Sequence, residues 1–190
     1  MKLVFRSLWT VLSVACVATA AAQTPIRLQP SQSEVVFVTK QMGVPVEGRF
    51  KTFDATLDLD PKKPEAGSVS IRINMQSGSL GVAEADAEMP KSTWFDVAKF
   101  PEASFTSTAI KGQGNGKFMV SGKLTIKGIA RDVTVPVAIT QSGSTSTATG
   151  TFVVKRVEHK IGEGEWADPT VVANDVQVRF KLAFTGLGPL

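Results

Sequence analysis

The sequence predicts an all-β domain, an antiparallel barrel of about eight strands with one short helical insertion. Three observations predict it. Apolar and polar residues alternate with a period of two along most of the chain, the pattern of half-buried antiparallel strands. Clusters of Gly, Pro, Asn and Asp interrupt that pattern at short intervals, as turns do. Only Ser77 to Pro101 loses the alternation altogether. One-sided alternation fits a closed barrel, and eight strands enclose about enough room for one slender ligand. No internal repeat supports a propeller or a solenoid.

The first 22 residues stand apart. Lys2 and Arg6 open a largely apolar run from Ser7 to Ala18, and Ala20-Ala21-Ala22 supply the small residues a signal peptidase reads. This is the pattern of a secretory signal peptide cut before Gln23, leaving residues 23–190 as one domain in a periplasmic or secreted setting. A membrane anchor fits less well, because the run is short and no basic stop follows it. Cys16 is the only cysteine, and Ser13 stands where a lipoprotein signal carries a large aliphatic. The expected mature chain therefore has neither thiol nor disulfide, and its core must hold it together. The formal charge of +4 shrinks to 19 basic against 17 acidic residues once that leader is removed. With no Lys/Arg cluster interleaved with aromatics, nucleic acid is not an expected partner.

Taken in order, Ile26 to Lys40 reads as the opening strand, with Val35 to Thr39 as its β-branched run. Gly43 and Pro45 are expected to bend the chain. In Arg49 to Pro61, Phe53, Ala55, Leu57 and Leu59 alternate with Asp54, Thr56, Asp58 and Asp60, and Pro61 to Gly67 is a turn. Ser68 to Met75 puts Val69, Ile71, Ile73 and Met75 on one face. Ala83 to Met89 is the helical candidate, with a second turn over Ser92 to Val97 and a stop at Pro101. Trp94 and Phe95 would pack this insertion on the sheet as a plug or lid.

Strand pattern resumes at Glu102 and reverses at Gly112 to Gly116. Lys117 to Thr140 is the clearest hairpin. Phe118, Val120, Leu124 and Ile126 face one way on its first arm, and Val133, Val135, Val137 and Ile139 on its second, about a turn at Gly128. Pro136 has no N–H to give a ladder, which marks an edge or a bulge. Gln141 to Ser146 reads as a loop, Thr147 to Arg156 as a seventh strand, and His159 to Thr170 as a long loop. In the last strand Val176, Val178, Phe180, Leu182 and Phe184 share a face.

Catalytic chemistry finds little support. His159 is the only histidine, and no tyrosine or mature cysteine accompanies it, so a nucleophile–base pair would depend on a serine brought to it by the fold. A surface or rim histidine is the expectation. One histidine makes a metal site improbable. Asp54, Asp58 and Asp60, like Glu84, Asp86 and Glu88, read as solvated faces. Gly162-Glu163-Gly164 lacks the Lys-Ser/Thr and the helix of a phosphate loop. The inward set is Leu57, Ile71, Ile73, Met75, Phe105, Phe118, Leu124, Ile126, Val135, Val137, Phe180 and Phe184. Filled and hollow barrels share this alternation, although Ala55, Ser107 and Gly122 at inward sites suggest spare volume.

Several ordered blocks resemble the YceI-like family of secreted lipocalin-like proteins. They are VEGRF, then WFDVAKFPEASFTST, then VSGKLTIKGIARDVTVPV, then IGEGEW and NDVQVRFKL, over roughly Ile26 to Phe184. The resemblance implies an extended eight-stranded lipocalin-like barrel with a long apolar cavity, binding polyisoprenoid chains, isoprenoid quinones or related amphiphiles. It implies neither catalysis nor a cofactor. The chain departs from the common pattern at Glu88-Met89, where many members have His-Leu, and at Glu158-His159, where many have Asp-Phe. The twelve inward residues would then line the cavity, with Trp94, Phe95, Phe100, Arg156, His159 and Trp166 at its mouth or lid. A transient membrane contact and a homodimer are compatible with this reading. The alternative is a filled barrel acting as a non-catalytic interaction module for a membrane redox or stress-response protein.

Overall fold

The computed structural model describes residues 25–190, so the predicted leader and Cys16 lie outside the described residues. The elements are β1 (Arg27–Leu28), β2 (Glu34–Gln41), β3 (Val44–Phe50), β4 (Phe53–Asp58), β5 (Ser68–Asn74), β6 (Gly78–Ser79), α1 (Ala83–Glu88), β7 (Glu102–Gly114), β8 (Lys117–Ile126), β9 (Ile129–Ser142), β10 (Thr145–Lys155) and β11 (Asp175–Thr185). They form one antiparallel sheet in the order β4-β5-β7-β8-β9-β10-β11-β2-β3-β6, with β1 beside the end of β11.

The two ends of that order come from the same stretch of chain. Only Lys51 and Thr52 separate β3 from β4, and only a 3₁₀ turn, Met75–Ser77, separates β5 from β6. β4 pairs with β5 while β3 pairs with β6. Across the bend, Lys51 N donates to Ser77 O at 3.2 Å and Asn74 N to Thr52 O at 3.0 Å. The sheet thus curls round on one bent hairpin. The sheet has eleven strands where the sequence predicts about eight, because the bent hairpin divides two of them and β1 is a short addition.

Three predicted boundaries are corrected. Val44–Phe50 is strand rather than a bend, because the chain reverses within Met42 and Gly43, whose φ values are 48° and 82°. Pro45 fits inside β3 because β6 reaches only Arg49 and Phe50, so its missing N–H faces a side without a neighbour. The predicted Gln141–Ser146 loop is largely extended, since only Gly143 and Ser144 separate β9 from β10. The predicted loop from His159 carries a 3₁₀ turn, Gly164–Trp166, and follows another, Arg156–His159.

Pro136 behaves as its chemistry dictates. β9 pairs with β8 along its whole first half, but with β10 only from Val137 onward, so proline stands where that ladder ends. The helix is where the sequence placed it. Asp86 ties it to β6, accepting from Ser79 Oγ at 2.7 Å and Leu80 N at 2.5 Å. The Ser79 hydroxyl, ahead of the Leu80 N–H, holds this carboxyl below its ordinary range. The main core runs through Val35, Leu59, Ile110, Phe118, Val120, Ile139, Leu182 and Phe184, and Ile26, Leu28 and Leu187 close that end of the barrel.

Candidate functional site: a two-chambered apolar cavity

The barrel is hollow. An inner chamber of about 120 Å³ and an outer chamber of about 250 Å³ share Val35, Ile73, Ala103, Leu124, Phe152 and Val178 as a waist. Together they reach the lower part of the 300–1,000 Å³ range of small-molecule sites. No polar atom faces the inner chamber, whereas a few face the outer one. An interior of carbon can bind only by burying apolar surface. The filled-barrel alternative does not fit this interior.

All twelve inward residues reach the cavity wall. Leu57, Ile71, Phe105, Phe118, Val135, Val137, Phe180 and Phe184 line the inner chamber, Met75 and Ile126 the outer, and Ile73 and Leu124 the waist. Strand alternation explains this, since each lies on the inner side of its ladder. The space credited to small residues is used, however. A Cβ on Gly122 would lie 2.5 Å from Phe105 Cζ, so that ring already fills it. Ser107 Oγ accepts from Val69 N at 2.9 Å, and Ala55 is buried in the core.

Four of the six predicted mouth residues, Trp94, Phe95, Arg156 and Trp166, line the outer chamber. Trp94 and Trp166 lie 5.7 Å apart between ring centroids, and Phe95 lies 6.1 Å from Phe50. Phe100 is corrected: it packs over the turn at Gly128, whose φ is +72° and where a Cβ would come within 2.7 Å of the ring. His159 is corrected too. It is 2 % exposed, with Nδ1 3.1 Å from Ile129 O, because the 3₁₀ turn that ends on it folds the ring against the start of β9. Burial pulls its pKa down from the ordinary histidine value, so it is neutral at pH 7.

Arg156 lies on the outer-chamber wall, but not as an open rim cation. It is 1 % exposed and faces only carbonyls. Nε donates to Val172 O and Ala173 O, Nη1 to Ile161 O and Gly162 O at 2.8 and 3.1 Å, and Nη2 to Trp166 O and Val172 O at 2.8 and 2.5 Å. All five of its N–H groups are thereby used. Lys127 Nζ is similarly spent, on Ser92 O and Lys160 O at 2.7 Å each and Glu163 Oε2 at 2.8 Å. Arg156 thus braces the 156–174 segment from within, while Lys127 and the bonds from Gly162 N and Glu163 N to Thr93 O fasten the lid turn to that segment.

Sequence reading missed Phe37, Thr39, Phe50, Met89 and Phe152 on the walls. Phe152 was within reach, since Ala148, Phe152 and Val154 share one face of β10; Thr39 was hidden by its polarity. Among the described residues no three His, Cys or carboxylate side chains gather to hold a metal.

A profile of the YceI-like domain matches residues 27–184. Curated relatives called Protein YceI, from Salmonella arizonae and Salmonella paratyphi B, are 34% identical over 124 residues. That match spans 65% of this chain and 64% of the length of those relatives. Among solved structures, Burkholderia cenocepacia BcnA is similar with a TM-score of 0.80 and 42% identity, over 82% of this chain and 98% of that one. A polyisoprenoid binding domain from Saccharophagus degradans shares the fold at TM-score 0.69 and 18% identity, over 85% of this chain and 98% of its own. With the profile covering nearly all of the barrel whose hollow interior the strands enclose, the chain belongs to the YceI-like family.

Proposed function

We propose that this protein is a non-enzymatic binder of a long-chain isoprenoid or similar amphiphile, acting outside the cytoplasm after loss of its leader. The observation that carries the reading is the pair of adjoining apolar chambers, the inner of which presents carbon alone. A flexible apolar tail gains about 0.8 kcal/mol per CH₂-sized unit buried there, so affinity accumulates with length and needs few polar contacts. The polar atoms of the outer chamber orient the ligand, tail inward and head towards the mouth. The Saccharophagus degradans relative, named for polyisoprenoid binding, lends the reading support from a chain of the same fold.

Mass spectrometry of an organic extract of the protein purified from its native host tests this. A stoichiometric prenyl species is the expected result. An empty extract, with no uptake of added isoprenoid, would overturn it.

A further inference from the structure

β6 pairs only with Arg49 and Phe50 before the chain leaves the sheet for α1. The edge of β3 from Val44 to Gly48 therefore has no strand beside it among the described residues. The outer chamber opens on this side. Gln41 of the β2–β3 hairpin and Glu88 of α1 both line it, and both reach solvent.

The three most exposed large apolar side chains among the described residues gather there: Met42 at 74 %, Val44 at 62 % and Val82 at 54 %. Val44 pairs with Gln41 and continues the inward series of Val46 past the end of the wall. Met42 tops the same hairpin, where its N–H donates to Val171 O at 2.8 Å. Val82 caps α1, about one turn ahead of the chamber-lining Ala85. A single exposed valine is ordinary, but three apolar tips around the mouth of one apolar cavity mark a contact surface.

Charge favours one occupant. Lys40, Arg49 and Lys51 are exposed beside these tips, and none forms an ion pair among the described residues. Nearby carboxylates are engaged: Glu47 with Arg179, Glu88 with Lys91, Asp86 with Ser79 and Leu80, and Asp168 with Thr170. On the hairpin, α1 and the 168–172 turn, only Glu84 is left unengaged. Free cations beside apolar tips complement a bilayer with anionic head groups. A partner strand is a poor fit, because Pro45 offers that edge no N–H and Glu47 places a charge along it.

We propose that the β2–β3 hairpin tip and the start of α1 dock the open end of the barrel on an anionic lipid bilayer, so that a chain passes between membrane and cavity without crossing water. The passage rests on the reading of the cavity as a lipid site; the docking rests on the rim itself. Met42, Val44 and Val82 enter the acyl boundary while Lys40 and Lys51 meet phosphates at its flanks. The unpaired backbone of Val44 to Gly48 keeps the contact shallow, since N–H and C=O groups without partners are costly in hydrocarbon.

The protein purified from its native host is sedimented with vesicles of phosphatidylcholine, alone or mixed with phosphatidylglycerol. Binding to the mixed vesicles is expected, and salt weakens it. Met42→Ser, Val44→Ser and Val82→Ser combined lower it by on the order of a hundredfold, the size of three apolar side chains withdrawn from the interface. Lys40→Gln with Lys51→Gln costs about tenfold on the mixed vesicles and nothing on phosphatidylcholine alone. Val153→Ser, at an exposed site on β10 away from the rim, leaves binding unchanged. Uptake of an isoprenoid from cyclodextrin, without vesicles, is measured alongside, and the triple variant retains it. Equal vesicle binding by the wild type and the triple variant, or no vesicle binding at all, would overturn the docking surface and leave the lipid site standing. Vesicle binding that responds to the rim variants, with no uptake of isoprenoid from any source, would uphold the docking surface and overturn the lipid reading.

Discussion

His159 illustrates how burial alone gives one side chain a pH-dependent role. No carboxylate accepts from its ring; Nδ1 meets the Ile129 carbonyl, Arg131 disfavours its charge and Glu158 favours it weakly. Desolvation is the largest influence and lowers its folded-state pKa below the unfolded value near 6.5. Between those two values the unfolded chain binds more protons, so stability rises with pH there and is complete above about 6.5. Urea unfolding should therefore show stability falling as pH drops from 7 towards 5. His159→Gln should flatten that slope relative to wild type, and an equal slope would contradict the assignment. Carboxylates contribute their own loss only further into acid. Sequence reading expected an exposed histidine here. A loop of mixed composition gives no signal that it folds back against the start of a strand.

At the scale of elements, the mouth is built from irregular backbone, and irregular backbone leaves carbonyls to satisfy. The 156–174 segment solves this with Arg156, whose planar fork matches several carbonyls at once, a task the three donors of lysine do not fulfil. Arg156→Lys should therefore rescue little of the loss caused by Arg156→Met. Each variant leaves buried carbonyls without donors, and a loss of about 3 kcal/mol in chemical denaturation is expected. Faster proteolysis within residues 156–174 should accompany it. A variant of wild-type stability would show that water replaces the guanidinium. The regular elements were legible because strand period and turn chemistry are local. The clearest hairpin, reversing at Lys127 and Gly128 with φ values of 50° and 72°, is one. The clamp was not legible, because its acceptors lie up to 17 residues away and carry no side-chain signature.

For the molecule as a whole, alternation revealed which side chains face inward but not whether they meet. That depends on volumes contributed by strands distant in sequence, as the Phe105 ring over Gly122 shows. The resulting void has a waist, and the waist makes a testable demand on the ligand. Leu124 borders both chambers and is buried in β8. Leu124→Trp should narrow the passage, while the chambers around it provide room that limits the overpacking penalty. A chain short enough for the outer chamber should bind as before. A long chain should lose its inner segment, and three CH₂-sized units kept out would cost about fifty-fold in affinity. Equal binding of long chains by the variant and the wild type, at unchanged melting temperature, would mean that the tail does not thread the waist. The inner chamber would then belong to the barrel's packing rather than to its ligand.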